Sequence, residues 1–265
     1  MSTILKKAQG FSKERFKSTP AVADIYYYLK YPYGANLYKG VYEGFKEAKN
    51  SIPSKFRSDY DIQEAHHKPN RDLSLFRPIN TPLLEPFETA LKDISSVLDI
   101  GGGVGIDYYA FKQALDFSES LSWMVYDVPI AVKVGQDIAT RNHCPNLSFI
   151  TDLKQTKSVD LLLTNGALQY LDQSLSELID QLPHKPKHLL VNYIPCYDGN
   201  TFFTIQNLKF SRCPYKIQGR TQFIHDLEVQ GYQLVKSWEE PRTCLIPFHP
   251  DQFVSSYFGF YFTKK

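Results

Sequence analysis

Short apolar runs recur along the second half of the chain and are separated by stretches with helical spacing. The runs are rich in Val, Ile and Leu, and their apolar residues are mostly adjacent rather than at every second position. This pattern is typical of strands that are covered by helices on both faces. Five such strands are predicted, over residues 97–100, 122–126, 147–150, 160–163 and 188–191.

The segments between these runs predict helices, and the end of the chain predicts a different arrangement. Ile130, Val134 and Ile138 show the helical spacing that recurs between the strands. An alternation of strands and helices predicts an α/β fold with a mostly parallel sheet and right-handed crossovers. Residues 232–235 and 254–263 then predict an antiparallel pair of strands at the end of this sheet.

The first 85 residues lack this alternation and are predicted to form a separate, mainly helical region. The segment is dense in tyrosine, and Val41, Phe45 and Ala48 have the spacing of one helix face. A polar, proline-containing stretch follows and is typical of loops or of a mobile cover. We therefore divide the chain into an N-terminal cover region, residues 1–85, and an α/β domain, residues 86–265.

Composition predicts a soluble protein without a membrane span. The 265 residues are 43% hydrophobic and 22% charged, which is enough apolar material to form a folded core. The formal net charge is +2, so the overall charge does not indicate a nucleic-acid partner. No apolar run reaches the roughly 18 to 20 residues of a membrane helix, and no apolar segment typical of a secretory signal follows the basic N-terminus. We therefore expect a cytoplasmic protein.

A glycine-rich turn follows the first predicted strand of the α/β domain and is the most informative segment of the sequence. The strand contains Asp99 and continues into Gly101, Gly102, Gly103 and, two positions later, Gly105. Glycine lets a ligand approach the backbone closely, and the N-terminus of the following helix offers free N–H donors. A turn that only connects a strand with a helix seldom needs four glycines in five residues, so we expect a ligand here.

The spacing of these glycines distinguishes two kinds of nucleotide site. The dinucleotide fingerprint G-x-G-x-x-G requires glycine where this chain has Ile106. The arrangement Asp99-x-Gly101-x-Gly103-x-Gly105 instead resembles the S-adenosylmethionine loop of class I methyltransferases. The resemblance implies a Rossmann-like, seven-stranded methyltransferase sheet, with S-adenosylmethionine as cofactor and S-adenosylhomocysteine as product. On this view Asp99 pairs with the ammonium group of the cofactor or orders water around it.

Acidic residues after the next two strands extend the resemblance. Asp127 follows the second strand, where class I methyltransferases place a carboxylate that accepts hydrogen bonds from both ribose hydroxyls. Asp152 follows the third strand and matches the acidic residue that holds the adenine amino group. The neighbours that the resemblance also places at the cofactor are Val128, Thr151, Leu153, Asn165 and Gly166.

The stretch after the fourth strand departs from the pattern of small-molecule O-methyltransferases. The glycine loop and the later Tyr-Asp-Val-Pro segment resemble these enzymes, in which a histidine after strand four acts as general base on a hydroxyl. This chain has Gln169 at the corresponding position, and glutamine cannot accept a proton at neutral pH. We therefore expect Gln169 and Tyr170 to orient a small-molecule acceptor rather than to move a proton.

Segments on both sides of the cofactor loop resemble a family of bacterial methyltransferases that often accompany surface-polysaccharide genes. The segments are GVYEGFKEA at residues 40–48, NYIP at residues 192–195 and TIQN at residues 204–207, together with the glycine loop. The resemblance implies a function in polysaccharide biosynthesis, with a hydroxyl or amine of a sugar or related metabolite as methyl acceptor.

The residues that bind the acceptor are less clearly indicated. Tyr33, Tyr38 and Tyr42 belong either to a lid that lines the acceptor pocket or to a packed layer or homodimer contact. His66 and His67 are candidate substrate contacts in a polar stretch. The glutamine at the base position also leaves open a non-catalytic module that binds the cofactor without turnover. No metal site is predicted, because the cysteines are scattered and prolines interrupt the one histidine pair with helical spacing.

Overall fold

The computed structural model describes residues 20–56, 78–115, 117–209 and 211–265, which form ten strands and seven α-helices. The strands are β1 (Leu37–Tyr42), β2 (Ser96–Ile100), β3 (Ser122–Tyr126), β4 (Leu147–Ile150), β5 (Leu161–Asn165), β6 (His188–Tyr197), β7 (Phe202–Asn207), β8 (Arg212–Gly219), β9 (Tyr232–Glu240) and β10 (Tyr257–Lys264). The helices are α1 (Pro20–Lys30), α2 (Phe45–Ser51), α3 (Leu84–Ala90), α4 (Ile106–Leu115), α5 (Pro129–Arg141), α6 (Leu175–Ile179) and α7 (Arg220–Val229). Within these segments no helix has both the length and the apolarity needed to cross a membrane.

Seven of the strands form a central sheet in the order β4-β3-β2-β5-β6-β10-β9. Strands β2 to β6 run parallel, and β10 lies antiparallel between β6 and β9. The predicted Rossmann-like sheet with an antiparallel C-terminal strand is therefore confirmed. The strand order reverses between β2 and β5, and ligands of such folds bind outside the carboxyl ends of the strands at this switch point.

The central sheet is buried on both faces, as its continuously apolar strands predict. Along β5, Leu161 and Leu163 join the hydrophobic cluster on one face, whereas Leu162 joins the cluster on the other face. The first cluster contains Phe111 of α4, and the second contains Leu178 of α6. Because successive strand residues point to opposite faces, a strand with helices on both sides has to be apolar throughout.

Three strands form an antiparallel extension of this sheet that the hydrophobic pattern does not predict. Strand β7 pairs antiparallel with β1 and β8, and β8 joins β6 in parallel through Cys196 and Tyr197. Only the last residues of β6 take part, so the extension lies beyond the carboxyl end of the central sheet. It therefore borders the edge at which doubly wound folds bind their ligands.

The N-terminal region contributes a strand as well as helices. Val41 belongs to β1, whereas α2 begins at Phe45, so the prediction of one helix face through Val41, Phe45 and Ala48 is wrong. The physical reason is that the β1 main chain forms a ladder with β7, and Gly44 in an extended conformation then separates the strand from the helix. The boundary at residue 85 stays a prediction, although β1 places part of residues 1–85 in the same sheet as the α/β domain.

Candidate active site

The glycine loop connects β2 with α4 at the point where the strand order reverses. Gly101, Gly103 and Gly105 have φ angles of +74°, +63° and +87°, in the left-handed region that other residues rarely adopt. The Gly101 N–H donates to the Tyr126 carbonyl (2.8 Å), which fixes the loop to the end of β3. A Cβ at Gly101 would lie 2.2 Å from the Ala167 Cβ. The loop is therefore also fitted closely against the turn that follows β5.

Asp99 lies beneath this loop. Its side chain is fully buried, and Oδ2 accepts a hydrogen bond from the Trp123 indole (3.3 Å). A Cβ at Gly102 would come within 2.2 Å of the same oxygen, so the loop backbone covers the carboxyl group. Burial, and after it the nearby Asp107 carboxylate, raises the pKa of Asp99 well above its usual range. Asp99 therefore packs against the buried side of the loop backbone. Its predicted contact with the ammonium group of the cofactor stays a prediction.

Asp127 links the end of β3 to the glycine loop. Its Oδ2 accepts from the Gly103 N–H and its Oδ1 accepts from the Val128 N–H, both at 2.7 Å. These bonds hold the half-buried carboxylate in one orientation beside the loop. A carboxylate offers about four acceptor sites, so hydroxyl groups can bind to it in addition to backbone donors.

The carboxyl end of β4 brings a second acidic residue to the same edge. Asp152 is exposed, and one of its oxygens accepts a backbone N–H that caps the following 3₁₀ turn. Burial raises the pKa of Tyr126, and the Asp152 and Asp127 carboxylates raise it further, so both carboxylates act on the same phenol. Thr151 is exposed at this edge, whereas the Leu153 side chain is buried in the core.

A buried network of amide side chains runs beside the loop. Asn165, at the end of β5, donates to Asn80 Oδ1 and to Asp107 Oδ1, both at 3.1 Å. Its own Oδ1 accepts from Asn192 (3.0 Å), whose Oδ1 accepts from the Trp238 indole (2.8 Å). The network thus connects the first turn of α4 with β9. In the sequence Asn165 and Asn192 lie at or just after the ends of predicted strands, although Asn192 is in the middle of β6 in the structure.

Gly166 and Gln169 form the turn after β5. Gly166 has a φ of +74°, and a Cβ there would lie 3.4 Å from the Tyr193 ring. Gln169 is 2% exposed, and its Nε2 donates to the Gly166 carbonyl (2.8 Å). Its Oε1 is buried and accepts no hydrogen bond from the described residues. A buried acceptor without a partner costs about 1–3 kcal/mol.

Five tyrosines meet where the central sheet borders its antiparallel extension, and we name them the tyrosine cluster. Its members are Tyr38, Tyr170, Tyr193, Tyr215 and Tyr257. The Tyr257 hydroxyl lies 3.1 Å from that of Tyr38 and 2.7 Å from that of Tyr215. The Tyr193 and Tyr257 ring centroids are 5.0 Å apart, and Tyr170 meets Tyr215 edge-on. Burial raises the pKa of Tyr38, Tyr215 and Tyr257, so these three phenols stay protonated and are not bases.

Arg242 brings a positive charge to the tyrosine cluster. Its guanidinium donates to the Tyr193 hydroxyl and lies over the Tyr193 and Tyr257 rings, 5.3 and 5.5 Å from their centroids. Tyr193 has a φ of +58° within β6, where the pairing with β10 shifts register. Left-handed backbone at a non-glycine residue costs about 1–3 kcal/mol and is concentrated at functional sites. Sequence analysis gave no signal for Arg242, which lies in the connection between β9 and β10.

The predicted acceptor residues fall in different environments. Tyr38 belongs to the tyrosine cluster and is buried. Tyr42 packs against a separate small hydrophobic cluster, and Tyr33 is 82% exposed. The structure therefore brings only Tyr38 of these three to the tyrosine cluster. His66 and His67 lie outside the described residues.

Comparison with known proteins finds similarity at the level of fold only. No family model and no curated protein matches the chain. One similar structure is the 1,6-didemethyltoxoflavin-N1-methyltransferase of Burkholderia thailandensis with S-adenosylhomocysteine bound (14% identity, 71% of this chain and 79% of that chain, TM-score 0.47). Another is an S-adenosylmethionine-dependent methyltransferase of Clostridium acetobutylicum (9% identity, 74% and 93%, TM-score 0.48). A third is the CcbJ methyltransferase of Streptomyces caelestis (9% identity, 84% and 96%, TM-score 0.48).

Proposed function

We propose that this protein is an S-adenosylmethionine-dependent methyltransferase that acts on a small molecule. The observation that carries the proposal is the hydrogen bond between Asp127 and the Gly103 N–H, at the switch point of the sheet. In doubly wound folds a carboxylate beside the glycine loop binds ribose hydroxyls. Ile106, in place of the third fingerprint glycine, supports S-adenosylmethionine rather than a dinucleotide.

The residues at this edge fit the parts of the proposed cofactor. Asp127 would hold the ribose hydroxyls, and Asp152 would hold the adenine amino group. Among the described residues, a Cβ at Gly103 would meet only the Ile106 side chain, at 3.5 Å, so they leave the loop backbone open to close approach at this point. Asp99, beneath the loop, would keep the loop in the conformation that receives the amino-acid end.

The geometry supports catalysis by positioning. When bound, the cofactor supplies a methyl group made electrophilic by the sulfonium charge, so the protein mainly has to align the nucleophile with it. Gln169 Oε1 would accept a hydrogen bond from the hydroxyl or amine of the methyl acceptor. This bond would orient the lone pair of that hydroxyl or amine toward the methyl group. Tyr170 donates to Gln206 (3.0 Å), which fixes the neighbouring aromatic wall. The side-chain hydrogen bonds of Gln169 go to the Gly166 and Tyr193 carbonyls and include no titratable base.

Segments of the sequence and the Gln169 side chain support the class of methyl acceptor. The resemblance of residues 40–48 and 204–207 to methyltransferases that accompany surface-polysaccharide genes supports a sugar or related metabolite. The unpartnered Gln169 oxygen supports an acceptor with a hydroxyl or amine hydrogen. The composition supports a cytoplasmic location.

The direct test measures methyl transfer by the full chain. The protein is incubated with methyl-labelled S-adenosylmethionine and a panel of hydroxylated and aminated sugars, and both the labelled methylated acceptor and S-adenosylhomocysteine are quantified by mass spectrometry. We expect product above the level without acceptor for at least one acceptor class, and loss of that product in Asp127→Ala. Calorimetric binding of NADH without binding of S-adenosylhomocysteine would contradict the cofactor assignment.

A second candidate function is a module that binds the cofactor without turnover, which the glutamine at the base position favours. The pH dependence separates the two candidates. An enzyme that only positions its acceptor becomes faster as pH rises toward the acceptor's own pKa, because the acceptor then loses its proton without a protein base. Binding of S-adenosylhomocysteine with no transfer to any acceptor, at neutral or alkaline pH, would favour the non-catalytic module.

A further inference from the structure

We propose that Arg242 and Tyr193 bind an anionic group of the methyl acceptor, so that the acceptor is a small organic acid or phosphate. The inference rests on the proposed function, because it assigns the chemical class of the molecule that receives the methyl group. Three observations carry it: the position of the guanidinium, the absence of an ion pair between Arg242 and any carboxylate of the described residues, and the fixed conformation of Tyr193.

The Tyr193 side chain lies between Arg242 and the turn that follows β5. The Tyr193 ring is next to Gly166, where a Cβ would lie 3.4 Å from the ring. The hydroxyl at the far end of this ring accepts a hydrogen bond from Arg242. The Gly166 carbonyl in turn accepts a hydrogen bond from the Gln169 side-chain amide (2.8 Å). Arg242 is therefore linked by a continuous chain of contacts to the turn after β5, so an acceptor that binds Arg242 is held beside this turn.

The charge of Arg242 is not balanced within the described part of the chain. No Asp or Glu in the described ranges forms an ion pair with it, whereas other basic side chains do have carboxylate partners. The side chain is half-buried between the Tyr193 and Tyr257 rings, so water solvates the charge only in part. A guanidinium carries five N–H donors in a planar fork that matches carboxylate and phosphate oxygens. An acceptor anion would use the donors that do not bind Tyr193.

The backbone of Tyr193 fixes this arrangement. On one side Asn192 pairs with Asn165 of β5, and on the other side Ile194 pairs with Phe258 of β10. Tyr193, between them, is held in the left-handed region at a φ of +58°. Strained backbone of this kind persists where the surrounding structure over-determines it, as it does at ligand-binding sites. The Tyr193 hydroxyl accepts from Arg242, so its own hydrogen is available as a second donor to the anion.

The test compares anions with a neutral molecule of the same shape. Ligand-observed NMR is recorded on the full chain saturated with S-adenosylhomocysteine, using benzoate, phenyl phosphate and benzamide as probes, since a flat ring suits the tyrosine walls. We expect at least one of the two anions to bind about tenfold more tightly than benzamide, and Arg242→Gln to remove this preference. Tighter binding of benzoate assigns a carboxylate, whereas tighter binding of phenyl phosphate assigns a phosphate.

Control variants separate this site from general effects of charge and folding. Arg141→Gln removes the same charge from an exposed position on α5 and should keep the preference for anions. Arg242→Lys keeps the charge but loses the fork, and should reduce the preference only in part. S-adenosylhomocysteine affinity, measured by calorimetry, should be unchanged in all three variants and so reports an intact fold.

Two failures are distinguishable. If the wild-type protein binds S-adenosylhomocysteine but binds the anions no better than benzamide, or if Arg242→Gln keeps the preference, the anion site is overturned and the cofactor assignment stands. If the wild-type protein does not bind S-adenosylhomocysteine, the proposed function is overturned instead.

Discussion

Replacement of Asp127 by alanine should weaken S-adenosylhomocysteine binding about a hundredfold. The carboxylate is held beside the glycine loop by the Gly103 and Val128 N–H groups, each at 2.7 Å. In the proposed complex it accepts two further bonds from ribose hydroxyls, and hydrogen bonds to charged groups contribute about 1.5–3 kcal/mol each. The half-buried position favours the lower value, which gives about 3 kcal/mol for two bonds, or about two factors of ten in affinity.

Isothermal titration calorimetry with S-adenosylhomocysteine checks this value. Asp137→Ala is the matched control, because it removes an exposed acidic residue of α5 and should leave the affinity unchanged. Urea unfolding should show that Asp127→Ala lowers the free energy of unfolding by only about 1 kcal/mol, because water can replace the carboxylate as hydrogen-bond acceptor for the two N–H groups. Unchanged affinity in a folded Asp127→Ala protein would refute the assignment of this residue to the ribose.

Three further predictions test the loop, the turn after β5 and the pH dependence of stability. Gly101→Ala should lower the free energy of unfolding by about 1–3 kcal/mol and abolish S-adenosylhomocysteine binding. The new Cβ would lie 2.2 Å from the Ala167 Cβ, on a residue with a φ of +74°. Unaltered urea unfolding would contradict this prediction. Gln169→Ala should lower kcat about tenfold to a hundredfold at constant cofactor affinity, in steady-state assays with an identified acceptor, and a loss beyond about 10⁴-fold would show that the residue does more than orient. Asp160→Asn should lower the free energy of unfolding at pH 7 by more than it does at pH 2. Desolvation raises the pKa of Asp160, but hydrogen bonds from Ser95 and neighbouring donors outweigh it and lower the pKa from 3.8 to about 2. The stabilisation, about 2 kcal/mol, is therefore present above pH 3.8 and is lost as the pH falls through the folded-state pKa. Urea unfolding from pH 7 to pH 2 measures it, and a constant difference between the two proteins would contradict the prediction.

The sequence by itself determined the central sheet and the position of the glycine loop. Runs of adjacent apolar residues such as residues 161–163 are a local signal, because a strand covered on both faces needs apolar side chains in both directions. Alternation with helices then sets parallel strands and right-handed crossovers. Since parallel strands end at one edge, the position of Asp127 and Asp152 after consecutive strands was enough to predict that they lie at one edge of the sheet.

Only the tertiary structure decided what lies beyond the end of β6. The antiparallel extension and the tyrosine cluster depend on contacts between distant segments, such as the hydroxyls of Tyr38 and Tyr257, which are 219 residues apart. The full burial of Asp99 against the backbone of the loop is likewise visible only in the tertiary structure. Periodicity and motif spacing describe neighbours along the chain. The sequence predicted the β9–β10 pair, but the contact of Arg242 with Tyr193 joins residues 49 positions apart and depends on the packing of the whole sheet rather than on a local pattern.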